Sequence, residues 1–204
     1  KPTRNHTELM LRHFGAEVDV LDFTDGARAV TVQEQPELTA RDVNVPGDIS
    51  SAAFPMAAAL LMPGSKVIIK DVGINPLRAG LVEILKKMGG AITLENLSTE
   101  AGEPVADLIV EGSLLHGVNV PPDQAPSMID EYPILAVCAA CAKGTTRLEG
   151  LGELRVKESD RLDSMARGLE ACGVYIEEGE DFLIIHGEGL VPQGGAKIKT
   201  ALDH

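Results

Sequence analysis

Three stretches of the chain share one pattern of apolar and polar positions. His6 opens HTELMLRHFGAEVDVLDF, Leu81 opens LVEILKKMGGAITLEN, and Asp160 opens DRLDSMARGLEACGVYIEE. In each, apolar residues recur at the spacing of one helix face, as Leu81, Ile84, Leu85 and Met88 do in the second. That spacing predicts an amphipathic helix. A glycine then stands where a helix takes its C-terminal cap: Gly15, Gly89 and Gly173. Alternating residues follow, as in Ala91-Ile92-Thr93-Leu94, and predict a strand.

A second pattern recurs between these. DISSAAFPMAAALLMPGSKVIIKDVG runs from Asp48, and DEYPILAVCAACAKGTTRLEGLG from Asp130. Each gives an aspartate, an aromatic-proline pair, an Ala-rich helix, a Gly-Ser or Gly-Thr turn, and a β-branched strand closing on glycine. The turn glycines Gly64 and Gly144, like the helix-end glycines, are spaced by roughly 80 residues. That period is too long for common solenoid repeats and suits a globular α/β fold built by duplication. Helices as apolar as Ala57 to Leu61 predict burial on every side, with helices inside and sheets outside. The polar segment Gln33 to Gly47, with two prolines, reads as a crossover between globules. Gly187 to Gly195 reads as a flexible loop.

Composition narrows the function classes. The chain has 204 residues and a net charge of -13. One or two domains are expected. A chain this acidic is a poor partner for nucleic acid or an anionic membrane. Any anion site must therefore be a local cluster of Arg and Lys. Aromatics make up 3% and Trp is absent, so the core is built from Ala, Val, Leu, Ile and Met. Cys138, Cys141 and Cys172 show no disulfide-like spacing and predict a reducing compartment. No apolar run reaches membrane-spanning length, and no signal peptide is visible. The first residue is Lys1 rather than Met, which leaves room for a segment ahead of it. The sequons at Asn5 and Asn96 read as chance matches.

Within this acidic chain, Leu154 to Arg161 (LRVKESDR) gathers Arg155, Lys157 and Arg161 with Glu158 and Asp160. A helix starting near Ser159 would add its N-terminal amides to these cations, which suits phosphate or carboxylate. Glu158 could then carry a proton. The plainer reading is a solvated helix start capped by Ser159. Asp130 precedes a very apolar helix and reads either as its N-cap or as a general base at a cleft rim. Cys138 and Cys141 form a CxxC inside an apolar helix and read as core, not metal or redox. The five histidines have no metal-ligand spacing, and no phosphate-binding Gly-rich loop occurs, so no cofactor or metal is expected.

At APSMIDEYPILAV and LRVKESDRL the chain closely resembles bacterial EPSP synthases. TRNHTELMLRHFGAEV from Thr3, PGDISSAAFPMAAALL from Pro46, and the closing TALDH extend the resemblance over nearly the whole chain. The resemblance implies a fold of two globules, each an inside-out α/β barrel of three βαβαββ units around buried helices, incomplete here. Residues 1–45 would be the tail of one globule and 46–204 most of the other. It also implies transfer of enolpyruvyl from phosphoenolpyruvate to the 5-hydroxyl of shikimate 3-phosphate, without metal or cofactor, by a cytoplasmic monomer. By position, Asp130 resembles the family's base toward the 5-hydroxyl. Lys157 and Arg4 resemble residues that bind shikimate 3-phosphate. Glu158 resembles the acid that protonates the phosphoenolpyruvate methylene, and Arg161 an arginine that holds phosphoenolpyruvate.

Other motifs of the family would lie before Lys1 or after His204, so the resemblance implies a partial site, inactive alone. Two other readings stay open. One is the sister enzyme that moves enolpyruvyl onto UDP-N-acetylglucosamine, which generally uses a reactive loop cysteine. The other is a non-catalytic module binding anions or a partner chain. An RNA-processing enzyme of similar repeat architecture is disfavoured by the acidity.

Overall fold

A computed structural model describes residues 4–201 and 203. Thr3, Leu202 and His204, which belong to segments singled out above, lie outside the described residues. The N-terminal segment forms helix α1 (His6–His13) and a hairpin of β1 (Val18–Asp22) with β2 (Arg28–Val32). Residues 33–46 then run without regular structure.

Two units of the same topology follow. The first has a Gly47 bridge parallel to Val72, helix α2 (Ile49–Leu61), β3 (Lys66–Gly73), α3 (Gly80–Lys87), β4 (Ala91–Glu100) and β5 (Glu103–Glu111). The second has β6 (Asn119–Val120), α4 (Tyr132–Cys141), β7 (Lys143–Glu149), α5 (Arg161–Ala171), β8 (Tyr175–Glu178) and β9 (Phe182–Glu188). The sheets are ordered β3-β5-β4 and β6-β7-β9-β8. In each unit a parallel step crosses over through an Ala-rich helix, and antiparallel pairing completes the sheet. The period predicts a duplicated α/β unit, and these units have the βαβαββ form that the family resemblance implies.

The helix ends explain why the repeat was visible. Gly15, Gly89 and Gly173 all take positive φ, at 98°, 96° and 89°. Each is followed by an amide that reaches back to a leucine carbonyl: Ala16 to Leu11, Gly90 to Leu85 and Val174 to Leu169. This is the Schellman closure, and only glycine enters it without a Cβ penalty.

Helices α2 and α4 pack on each other inside, and the sheets lie outside. The continuous core runs from Ile49 to Ile185. Burial of α2 is not complete, contrary to its apolar composition. Met56, Ala57 and Leu60 are fully enclosed, but Ser51, Phe54, Pro55 and Ala58 form an exposed stripe, with Phe54 64% accessible. A uniform apolar sequence gives no signal for which face stays open. The loop expected from Gly187 begins only after Glu188, because Gly187 pairs with Gly144 inside the sheet.

Candidate active site

Asp130 is the hub of the site. It lies in a short 3-10 turn, Ile129–Glu131, ahead of α4. It does not cap that helix. Glu131 occupies the cap position and makes no side-chain cap bond. The Asp130 carboxylate instead faces four cations. Arg4 donates to it at 3.0 Å, and Lys157, Arg161 and Arg78 stand at 3.6, 3.8 and 3.9 Å. These five residues come from four separate stretches of sequence, so the fold assembles what no local motif contains.

Three of the cations reflect the repeat. Arg4 and Arg78 lie just before α1 and α3, and Arg161 is the first residue of α5. Each stands about 11 residues ahead of its unit's cap glycine. Equivalent helix starts in successive units therefore deliver one arginine each to Asp130. Sequence reading passed over Arg78, although its position relative to Gly89 was the available signal.

The LRVKESDR segment divides in two. Arg155 turns away from the hub: it binds Asp160 at 2.9 Å, Glu178 at 2.8 Å and the Glu180 carbonyl at 2.7 Å. It ties the start of α5 to the β8-β9 hairpin. The cap of α5 is Asp160, which accepts from the Asp163 amide at 2.9 Å, and not Ser159. The Ser159 hydroxyl donates to Asp203 at 2.6 Å. Burial opposes ionisation of Asp160, but the Asp163 amide and Arg155 outweigh it and hold its carboxyl below the usual range.

Lys157 and Arg161 face inward. Lys157 also pairs with Glu153 at 3.2 Å. Arg161 grips Asp203 through two parallel bonds of 2.9 Å and holds Glu158 at 2.9 Å. That fork fixes the guanidinium plane. Bonding to Asp203 raises the Arg161 pKa further, so its charge is permanent. Glu158 is 52% exposed. Exposed pairs such as Lys157–Glu153 and Arg161–Glu158 are each worth at most about 1 kcal/mol. An incoming phosphate or carboxylate can displace them.

A cavity of about 340 Å³ opens beside the hub, lined by Asp130, Ser159, Arg161, Lys199 and Asp203, with Phe54 and Met165 as apolar wall. That volume falls within the range of small-molecule sites. A larger cavity of about 650 Å³ lies between Gly173, Tyr175, His186 and Val191. Its lining contains no Arg or Lys, so it is poorly suited to a multiply charged anion. Among the described residues no cluster of His, Cys, Asp and Glu could hold a metal. Burial pushes the Cys138 thiol up to about 12, which leaves it a core residue and not a nucleophile.

The family model described as EPSP synthase (3-phosphoshikimate 1-carboxyvinyltransferase) matches residues 1–204. The chain belongs to the EPSP synthase family. The 3-phosphoshikimate 1-carboxyvinyltransferases of Paramagnetospirillum magneticum and Rhodospirillum rubrum are 61% and 57% identical to it over 202 residues. In both cases the match takes in 99% of this chain and 45% of the relative, so the chain spans less than half the length of these proteins. An EPSP synthase structure from Acinetobacter baumannii superposes with a TM-score of 0.85 at 47% identity, over 93% of this chain and 42% of that one. The enolpyruvyl transferase NikO from Streptomyces tendae shares the fold, with a TM-score of 0.58 at 21% identity. Among the described residues no helix is long and apolar enough to cross a membrane.

Proposed function

We propose that this chain supplies part of the active site of an EPSP synthase, which moves enolpyruvyl from phosphoenolpyruvate to the 5-hydroxyl of shikimate 3-phosphate and releases phosphate. The observation that carries the reading is the convergence of Arg4, Lys157 and Arg161 on Asp130. Asp130 takes the proton of the attacking hydroxyl. Lys157 and Arg4 hold shikimate 3-phosphate, and Arg161 holds phosphoenolpyruvate. Glu158 delivers a proton to the methylene carbon, which builds cationic character on the adjacent carbon for the hydroxyl to attack. The tetrahedral intermediate then loses phosphate together with a proton from its methyl group, which restores the carbon–carbon double bond of the enolpyruvyl product. Fixed cations beside the two anionic substrates stabilise charge that water would otherwise have to solvate.

Residues 1–45 act as the tail of one globule and 46–204 as most of a second. The core cluster begins only at Ile49, which supports that division. The protein works as a cytoplasmic monomer, its partners being the two small-molecule substrates.

Calorimetric titration of the chain with shikimate 3-phosphate tests the reading. Binding is expected, with Lys157→Met and Arg4→Met each weakening it about 10-fold or more, as loss of a charge-assisted contact should. Binding of UDP-N-acetylglucosamine in its place would transfer the chain to the sister activity. Equal binding by wild type and Lys157→Met would remove Lys157 from the site.

A further inference from the structure

The proposed reaction gives Arg4 and Arg161 their work and leaves Arg78 without any. Yet Arg78 is the most enclosed of the arginines around Asp130, with its side chain 13% exposed. Its loop is built around the buried Asn75. The Asn75 side chain accepts from the Leu77 amide at 3.0 Å, and its carbonyl accepts from the Arg78 amide at 2.8 Å. Asn75 in turn donates to Asn5 at 2.8 Å and Glu103 at 2.9 Å. The guanidinium is thus delivered from a fixed base.

Arg78 donates to the Ser50 hydroxyl at 2.6 Å, and Ser50 donates to Glu131. Three carboxylates stand around the same guanidinium: Asp48 at 3.7 Å, Glu131 at 3.8 Å and Asp130 at 3.9 Å. Arg4, Lys157 and Arg161 reach only Asp130 of the three. Among the described residues, Arg78 is therefore the one cation within ion-pair distance of Asp48 and Glu131. Glu131 is 2% exposed, so its charge has little recourse to water. Arg78 is absent from the lining of the cavity beside Arg161 and instead faces a separate cleft with His6, Pro46 and Asn75.

We infer that Arg78 is a positioning residue: through Ser50 it holds the buried Glu131 carboxylate, and so sets the turn from which Asp130 faces Lys157 and Arg161. The role of Asp130 in this inference rests on the proposed function; the ion-pair geometry does not. Burial raises the Glu131 pKa, and the Ser50 hydrogen bond and Arg78 oppose that rise, while Asp130 and Asp48 add to it. Without Arg78, three carboxylates face one another with no cation on that side. Glu131 then takes up a proton, and its O–H donates to Ser50 where its carboxylate had accepted. Glu131 and Asp130 share one turn, so the rearrangement moves Asp130.

Carbon-detected carboxylate NMR on the 204-residue chain tests this, combined with shikimate 3-phosphate titration. Arg78→Met should raise the Glu131 midpoint by about 1 pH unit or more, displace the Asp130 resonance, and weaken shikimate 3-phosphate about 10-fold. Glu131→Gln alone, whose neutral amide mimics the protonated carboxyl and donates to Ser50, should displace the Asp130 resonance and weaken the affinity in the same way, and adding it to Arg78→Met should change neither much further. Arg78→Lys keeps the charge and should preserve most of both, which covers the case where Arg78→Met does not fold. An unmoved Glu131 midpoint, an unmoved Asp130 resonance, or a Glu131→Gln variant that keeps the wild-type Asp130 resonance and affinity would overturn the inference. If wild type does not bind shikimate 3-phosphate, the substrate reading falls, and the two resonances alone decide the role of Arg78.

Discussion

Asp130 faces four cations, but only Arg4 comes within hydrogen-bond distance of it. The 3.6–3.9 Å separations of the others fit charges arranged around a space, not charges locked in contact. Nearby Asp48 shows how the same charges bear on stability. It caps α2 by accepting from Ser51 at 2.8 Å and Ser50 at 3.3 Å. Burial raises its pKa, but the Ser51 and Ser50 hydrogen bonds and Arg78 prevail and lower it. A lowered carboxyl adds stability above the ordinary value near pH 4 and loses it as pH falls through the folded value. Thermal denaturation should therefore show a falling midpoint below about pH 4, and Asp48→Asn, which keeps a cap but cannot ionise, should flatten part of that fall. An unchanged slope would mean that Asp48 carries no charge linkage. At this scale the sequence singled out Asp130, Lys157, Glu158 and Arg161 because they sit in two dense motifs. It hid Arg78 and Asp203, whose partners lie 52 and 42 positions away or, like Ser50, on another element.

Helices and their ends were the most legible part of the chain, because capping is local. The glycine at each Schellman closure lies in the left-handed region, and a side chain there costs about 1–2 kcal/mol. Gly89→Ala adds a Cβ 3.3 Å from the Leu114 carbonyl, so strain joins the backbone cost. Urea unfolding should show a loss of at least that amount, with the slope unchanged. A loss within a few tenths of a kcal/mol would mean that the α3 terminus rearranges freely. Cap assignments within LRVKESDR were less legible. Ser159 and Asp160 are both good N-cap residues, and the choice between them follows from Arg155 and Asp203, which anchor one side chain each. Asp130 was ambiguous for the same reason: a cap and a carboxylate facing a cluster of cations look alike until the distant arginines are in view.

For the whole molecule, the period near 80 residues disclosed a duplicated α/β unit, and the structure has two such units with their strands in equivalent order. What the period could not disclose was the open face of α2. Phe54, Pro55 and Ala58 form an apolar stripe on the helix that also carries Ser50 and Asp48 to the hub. Covering a Phe side chain is worth about 1.5–3 kcal/mol, so this stripe favours any apolar surface that meets it. The 204-residue chain should bind a hydrophobic dye, and Phe54→Ser should reduce that binding without lowering the unfolding midpoint. Equal dye binding by the variant would move the sticky surface elsewhere.

In the proposed function, residues distant in sequence form one anion site around Asp130. Amide NMR of the chain during titration with shikimate 3-phosphate tests it most directly. Shifts should gather at Arg4, Asp130, Lys157 and Arg161, from separate stretches of sequence, and disappear with Lys157→Met. Shifts confined to the cavity of Tyr175 and His186, or none in a well-folded sample, would contradict it.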